Sequence, residues 1–345
     1  MKILMVGLGA IGQRHLRNLR TIVGAGAEFL AYRVRRLSPV INPALQLEVD
    51  KDVEKENGIL VFTDLGKALA EKPDIAVICN PSSLRIPVAI QCARAGCDLF
   101  LEKPLSSSLE GVPELLSAVE EGRCIAMVGY QFRFHPCFLR LREILQHGDL
   151  GSPVAVRATM GECLPDWHRY EDYRQNYAAR SELGGGALLT QIHEFDYLYA
   201  LFGKARRLYT VGGHLSGLEI DVEDVASTLM ECEFDGRPLP VHLQQDYLQR
   251  PTSKQCEVIG VGGKAILDFP SLSVVLYNSA GDVASRFQCE GFDRNQLFRA
   301  EMQHFLQCVT TRSNPVVDLH EGLWSLKLAL AAHRSLATRQ VVELS

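Results

Sequence analysis

The chain has 345 residues, 47% of them hydrophobic, and a formal net charge of −5. That length exceeds one ordinary core and implies two domains, and the slightly acidic balance excludes the broad basic field of a nucleic-acid binder. Its apolar runs fall well short of the roughly 20 residues of a membrane span, and its ten cysteines lack C-x-x-C spacing, which favours neither a zinc site nor a disulfide framework.

A reducing cytoplasm is therefore the expected location. The N-terminus pairs Lys2 with an apolar run, but Gln13-Arg14-His15 follows without a small-residue cleavage site, so it does not read as a signal peptide. The first expected element is instead a buried strand, Lys2-Ile3-Leu4-Met5-Val6, running into Gly7-Leu8-Gly9-Ala10-Ile11-Gly12. Strand, G-x-G-x-x-G and helix in that order form a dinucleotide-binding fingerprint. Its first glycine permits a tight turn, its second lets backbone approach a pyrophosphate, and its third packs helix on strand. Further strands are expected at 28–32, 59–62, 74–79, 98–101 and 125–130, with helical patterns between most of them. Such alternation predicts a doubly wound parallel sheet. Residues 37–58 interrupt it with two prolines and the charged run 48–56, which reads as a solvated loop or short helix, or alternatively as a segment that shapes the cofactor mouth.

After a helix at 138–146 the pattern changes. Strands at 154–158, 225–230, 241–245, 256–259 and 265–268 follow one another through Gly, Pro or Asp turns, predicting an α+β domain with a large, open, mainly antiparallel sheet. Alternation at 241–245 puts one face against helices and leaves the other for solvent or a partner subunit. An apolar helix at 322–336 is expected to pack between the domains, which divide as 1–128 and 129–345.

Candidate chemistry collects at strand ends. Asn80-Pro81, Glu102-Lys103-Pro104 and Tyr130-Gln131 each follow a parallel strand, where open α/β sheets bind ligands. A lone lysine at such an end is commonly a surface residue; here three successive ends carry polar groups, and the Lys103-Pro104 bond is a candidate cis peptide. Arg133-Phe134-His135-Pro136 comes next, and in the second domain a glycine run at 184–186 opens a helix expected to carry Thr190 and His193 on one face. Helical histidines are often structural, yet one beside a glycine-lined cleft suits proton transfer near neutral pH. Arg33 falls 21 residues after Gly12, with Arg35 and Arg36 behind it. A guanidinium there accepts a 2′-phosphate, favouring NADP(H) over NAD(H), although these arginines also suit a solvated loop. The stretch 164–174 holds Trp167 and His168 among charged and aromatic groups, suited either to a sugar or to a subunit contact.

Together these residues resemble the Gfo/Idh/MocA family, named for glucose-fructose oxidoreductase and inositol 2-dehydrogenase. The resemblance spans nearly the whole chain and rests on the opening glycines, the Glu102-Lys103-Pro104 triplet, the R-F-H-P element, the glycine run leading to His193, and the terminal helix with its closing strand at 341–344. It implies a Rossmann domain, a second domain for substrate and homo-oligomer contacts (dimer or tetramer), and nicotinamide-dependent oxidation or reduction of a sugar, polyol or nucleotide sugar without a metal. Lys103 would bridge the reacting hydroxyl and the nicotinamide ribose, and His193 would carry the hydroxyl proton. Gly7, Gly9, Ala10, Ile11, Gly12, Arg33, Asn80, Pro81, Glu102 and Gln131 are the other expected cofactor contacts, and Arg133, Trp167, His168 and Thr190 the expected substrate contacts. The stretch L-P-D-W-H is also similar to that of members linked to surface-glycan biosynthesis. Two positions depart from the family: Thr190 stands where many members have aspartate, and Arg85 where they often have histidine. Alternatives are a glycoside hydrolase using transient oxidation of its sugar, and a nucleotide- or sugar-sensing protein without turnover.

Overall fold

A computed structural model describes residues 1–34, 39–42 and 45–344; Arg35 and Arg36 lie outside the described residues. The chain forms two compact units, Met1–Tyr130 with Asn295–Leu323, and Gln131–Arg294 with Trp324–Ser345.

In the first unit the elements are β1 (Lys2–Val6), α1 (Ala10–Val23), β2 (Glu28–Tyr32), β3 (Pro39–Ile41), β4 (Leu47–Asp52), α2 (Val53–Asn57), β5 (Leu60–Phe62), α3 (Leu65–Ala70), β6 (Ile75–Ile78), α4 (Arg85–Arg94), β7 (Asp98–Glu102), α5 (Val112–Gly122) and β8 (Ala126–Gly129). The sheet runs β5-β2-β1-β6-β7-β8 with every pair parallel. Its central strands bury Ile3, Leu4, Met5, Val77, Phe100 and Leu101 completely, the continuous apolar strand of a sheet covered on both faces. Parallel pairing brings every strand's carboxyl end to the same edge, so the expected Rossmann-type sheet positions the candidate residues as a row.

Within 37–58 the described residues hold the short helix that was one of the two expectations, and a two-stranded ribbon in place of a loop. Strands β3 and β4 pair antiparallel, and Asp52 caps α2 by accepting hydrogen bonds from the amides of Glu54 and Lys55. The charged run thus divides into an exposed ribbon and a capped helix. The ribbon forms because α1 satisfies it: the Gln13 side chain donates to the Pro39 carbonyl at 3.0 Å and accepts from the Ile41 amide at 2.8 Å.

The second unit contains α6 (Pro136–His147), β9 (Pro153–Gly161), α7 (Ala187–Thr190), α8 (His193–Phe202), β10 (Ala205–Gly213), β11 (Val225–Phe234), β12 (Arg237–Asp246), β13 (Ser253–Gly260), β14 (Gly263–Asp268), β15 (Ser273–Asn278) and β16 (Val283–Gln288). The chain then returns to the first unit with α9 (Asn295–Thr311) and closes with α10 (Leu319–Thr338) and β17 (Val342–Glu343). The nine-stranded sheet has the order β16-β15-β14-β13-β9-β12-β11-β10-β17, antiparallel except where β9 meets β12. Alternate residues such as Val156, Ala158, Met230, Val241 and Leu243 are buried, whereas Tyr209, Val211 and Leu229 stand exposed on the opposite face.

The compact units are not the two contiguous segments expected from sequence. Asn295–Leu323 belongs with the first unit because α9 lies on α1: Asn18 and Asn295 exchange side-chain hydrogen bonds at 3.2 and 2.9 Å, and Arg14 sits over the Phe298 ring at 4.6 Å. Helix α10 starts in the first unit and ends in the second.

Candidate active site

The carboxyl edge of the first sheet begins with the fingerprint. Gly7 turns off β1, and Gly12 is required by contact, since a Cβ there would lie 2.3 Å from the Gly7 carbonyl oxygen. Gly9 is different, because a Cβ at that position meets nothing within 4 Å. Ala10 and Ile11 then open α1, whose first turn carries no acidic side chain. A turn closed on the protein side and open on the other is what a pyrophosphate needs at a helix N-terminus, so the residues present fit a dinucleotide.

Beyond the neighbouring strands, Arg33 follows β2, and its buried guanidinium meets Glu54, Nη1 to Oε1 at 2.5 Å. Asn80 and Pro81 follow β6, with the Asn80 amide donating to the Leu84 carbonyl at 2.8 Å. Arg85, on α4, is buried, and its guanidinium donates to the carbonyls of Asn80, Glu102 and Pro104. It therefore clamps the ends of β6 and β7 to each other. Lys103 sits directly after β7, partly buried, and its bond to Pro104 is cis.

Glu102 fixes this lysine from behind. Its Oε2 accepts from the Lys103 backbone amide at 3.1 Å, while Oε1 lies 2.6 Å from His15 Nε2. Burial pushes the Glu102 carboxyl up, but the His15 hydrogen bond and the charges of His15, Lys103 and Arg85 outweigh it and hold the group below its ordinary value.

In the second unit, Gln131 and Arg133 are buried in the turn Gln131–Phe134. Arg133 grips Asp196 on α8, and Ser325 donates to the same carboxylate at 3.1 Å. His135 caps α6 by accepting from the Cys137 amide; burial, then the charge of Lys254, pushes its imidazole down to about 4. His193 begins α8, buried, with its ring edge-on to Phe132 at 4.9 Å between centroids. Phe132 also meets Lys254, whose Nζ is 3.6 Å from the ring centre and 2.8 Å from Glu194 Oε1. Burial lowers this lysine below its ordinary value, and Glu194 opposes the shift.

The glycine run turns tightly against Glu223. Gly186 has φ of +100°, and a Cβ there would fall 2.4 Å from Glu223 Oε1, the same oxygen that accepts the Leu188 amide at 2.9 Å. The single helix expected to carry Thr190 and His193 on one face is broken. Helix α7 ends at Thr190 and α8 starts at His193, because Gln245 of β12 donates to the Gln191 carbonyl at 2.9 Å and Gln191 donates to the Asp246 carbonyl at 2.8 Å. The Thr190 hydroxyl donates to the Gly186 carbonyl at 2.8 Å and meets the Tyr247 hydroxyl.

Trp167 packs edge-on to Tyr247, with ring centroids 5.3 Å apart, against a small core of Leu164, Ala178, Ala179, Ala187 and Val222. His168 stacks on Tyr170 and pairs with Glu171 at 2.9 Å. Sequence reasoning did not single out His15, Glu301, Glu223 or Lys254. Each is defined by a partner far away in the chain, which no local spacing reveals.

Comparison with known proteins agrees with this two-part layout. The model of an oxidoreductase family with an NAD-binding Rossmann fold matches residues 1–130, and that of the GFO/IDH/MocA C-terminal domain matches residues 138–266. Among characterised relatives, a myo-inositol 2-dehydrogenase of Thermotoga maritima is 26% identical, with 100% of this chain and 98% of that protein aligned. An NAD(+)-dependent scyllo-inositol 2-dehydrogenase of Bacillus subtilis is likewise 26% identical over 99% of this chain and 95% of its own length. Among solved structures, the WlbA dehydrogenase of Bordetella pertussis, in complex with NADH and UDP-GlcNAcA, shares the fold with a TM-score of 0.79 at 22% identity, covering 100% of this chain and 99% of its own. With a nucleotide-shaped glycine turn, a fixed strand-end lysine and both family domains in order, the chain belongs to the Gfo/Idh/MocA family of nicotinamide-dependent oxidoreductases.

Proposed function

We propose that this oxidoreductase interconverts a hydroxyl and a keto carbon on a sugar, polyol or nucleotide sugar, with Lys103 and His193 as its catalytic residues. The observation that carries this reading is the seating of Lys103 at the end of β7, its backbone held by Glu102 and its strand end clamped by Arg85. The inositol dehydrogenases support a ring polyol, and the UDP-GlcNAcA complex supports a nucleotide sugar.

The first unit would bind the dinucleotide through Gly7, Gly9, Ala10, Ile11 and Gly12, with Asn80 and Pro81 beside them, while Glu102, buried and engaged by His15 and the Lys103 amide, acts through Lys103. A nicotinamide held there would supply or accept the hydride. The protein orients the sugar and manages charge and proton. The Lys103 ammonium holds the reacting oxygen and favours its alkoxide-like charge, and the His193 imidazole takes the hydroxyl proton in oxidation and returns it in reduction. The second unit carries the substrate. Trp167, His168, Arg133 and Thr190 are its proposed contacts there, Arg133 being engaged by Asp196 and Thr190 by Gly186 with Tyr247.

Arg33 supports NADP(H) over NAD(H), since a guanidinium after the second strand matches a 2′-phosphate. The open sheet face bearing Tyr209, Val211 and Leu229 suits a second copy, giving a dimer or tetramer. Among the described residues no helix is long and apolar enough to cross a membrane, and a cytoplasmic location accords with ten free cysteines.

The test is Lys103→Met. Calorimetric affinity for the dinucleotide should stay within about twofold while kcat/KM falls on the order of 1,000-fold. Unchanged turnover removes Lys103 from the chemistry. Nucleotide that co-purifies without exchange, together with no net redox change, moves the reading to a hydrolase that oxidises its sugar transiently.

A further inference from the structure

Behind Lys103 lies a cluster that the reaction as described does not use. Glu301 of α9 is completely buried, and neither of its carboxyl oxygens has a hydrogen-bond partner among the described residues. It faces the His15–Glu102 pair, and one polar atom from each of the three residues lies within 4.8 Å of those of the other two. Aromatic rings pack against the imidazole. The His15 ring meets Phe100 at 5.0 Å and Phe298 at 6.0 Å between centroids, both edge-on. Other ionisable groups around the cluster are Lys103, Arg85 at the strand ends, Cys79 beyond β6 and Arg14 over Phe298.

Two carboxylates beside one imidazole in such surroundings cannot both ionise without severe repulsion, and Glu102 already has the better partners. We propose that His15, Glu102 and Glu301 act as one buried proton-sharing unit that positions Lys103, with Glu301 as its un-ionised member donating toward the Glu102 carboxylate. Burial, reinforced by the Glu102 charge, pushes the Glu301 carboxyl well above its ordinary range, in agreement with this role. The unit acts on chemistry through one contact, the Lys103 amide on Glu102 Oε2. A carboxylate kept charged from α1 and α9 holds that amide, and with it the strand end from which the lysine projects. His15 and Glu301 are thus positioning residues, and the inference rests on the role of Lys103 proposed above.

The test has two arms. Infrared difference spectroscopy of the wild-type holoenzyme against Glu301→Gln, near and above neutral pH, should show one un-ionised carboxyl stretch that the substitution removes, whatever Lys103 does. A Glu301 carboxylate ionised near neutral pH overturns the proposal, as does a divalent cation bound stoichiometrically by the purified protein and lost in Glu301→Gln.

The second arm is kinetic. Glu301→Ala removes the donor, so the acid limb of the kcat/KM profile should move up by about one pH unit and kcat should fall about tenfold with KM within about twofold. Glu301→Gln, whose amide still donates, should bring the limb back. A folded Glu301→Ala protein with an unmoved limb overturns the positioning role even if the infrared band is present. A failed Lys103→Met result with the band present instead retires the assignment of Lys103 and leaves the proton assignment standing.

Discussion

Arg133 and Asp196 face each other through two parallel hydrogen bonds, Nε to Oδ2 at 2.8 Å and Nη2 to Oδ1 at 2.9 Å, both side chains being almost wholly buried. The pair ties the turn after β8 to the helix that His193 begins. Removing one partner of a buried ion pair strands the other charge and typically costs about 3–5 kcal/mol. Asp196→Ala should therefore lower hydrogen-exchange protection across α8 by that order and reduce activity as a consequence. If Arg133 were reserved for substrate, the same substitution would leave protection intact and mainly raise KM.

Gly9 and Gly12 separate binding from folding. A Cβ at Gly12 meets the Gly7 carbonyl at 2.3 Å, whereas one at Gly9 meets nothing within 4 Å, and Gly9 has an ordinary φ of −71°. Gly9→Ala should leave thermal stability within about 0.5 kcal/mol while weakening dinucleotide affinity by at least about tenfold. Gly12→Ala should lose both. Calorimetry beside thermal denaturation checks the pair of outcomes, and equal behaviour of the two variants would remove the cofactor from the space beside Gly9.

The first sheet was legible because its signals are local: an apolar strand, three spaced glycines and repeated strand ends. What escaped depends on distance in the chain. His15 and Glu102 are 87 residues apart, and Glu301 arrives on a helix that returns from beyond the second sheet, so the proton-sharing cluster leaves no pattern in any window. The break between Thr190 and His193 was hidden for the same reason, being made by Gln245 on another element. Trp167 illustrates ambiguity of chemistry: an aromatic-rich stretch reads alike whether its rings meet a sugar or, as with Tyr247, one another.

Arg33 is paired with Glu54, and this contact governs the cofactor preference proposed above. Binding a 2′-phosphate requires the guanidinium to exchange one anion for another. Glu54→Gln should raise the affinity ratio of NADPH over NADH about tenfold by removing the competing carboxylate, and Arg33→Ala should abolish the preference, moving NADPH affinity far more than NADH affinity. Equal losses for both dinucleotides in Arg33→Ala would assign Arg33 to structure alone.

Glu223 and His333 oppose each other in pH dependence. Burial pushes the Glu223 carboxyl up to about 7 from an ordinary 4.5, and pushes the His333 imidazole, 3.6 Å away, down to about 4 from 6.5. Between pH 4.5 and 7 folded Glu223 holds a proton that the unfolded chain releases, so its contribution is complete below 4.5 and is lost as pH rises to 7. That loss is on the order of 3 kcal/mol at most. His333 acts in the other direction: the unfolded chain binds a proton that the folded imidazole refuses, so its contribution is present above 6.5 and is lost as pH falls toward 4. The two slopes largely cancel between pH 4.5 and 6.5 in the wild type. Glu223→Gln, whose amide oxygen still accepts the Leu188 amide, should expose the His333 slope, with stability rising with pH. His333→Gln should expose the Glu223 slope, with stability falling. Denaturation across this window reads both signs, and parallel profiles for wild type and both variants would show that neither group carries the proton assigned to it.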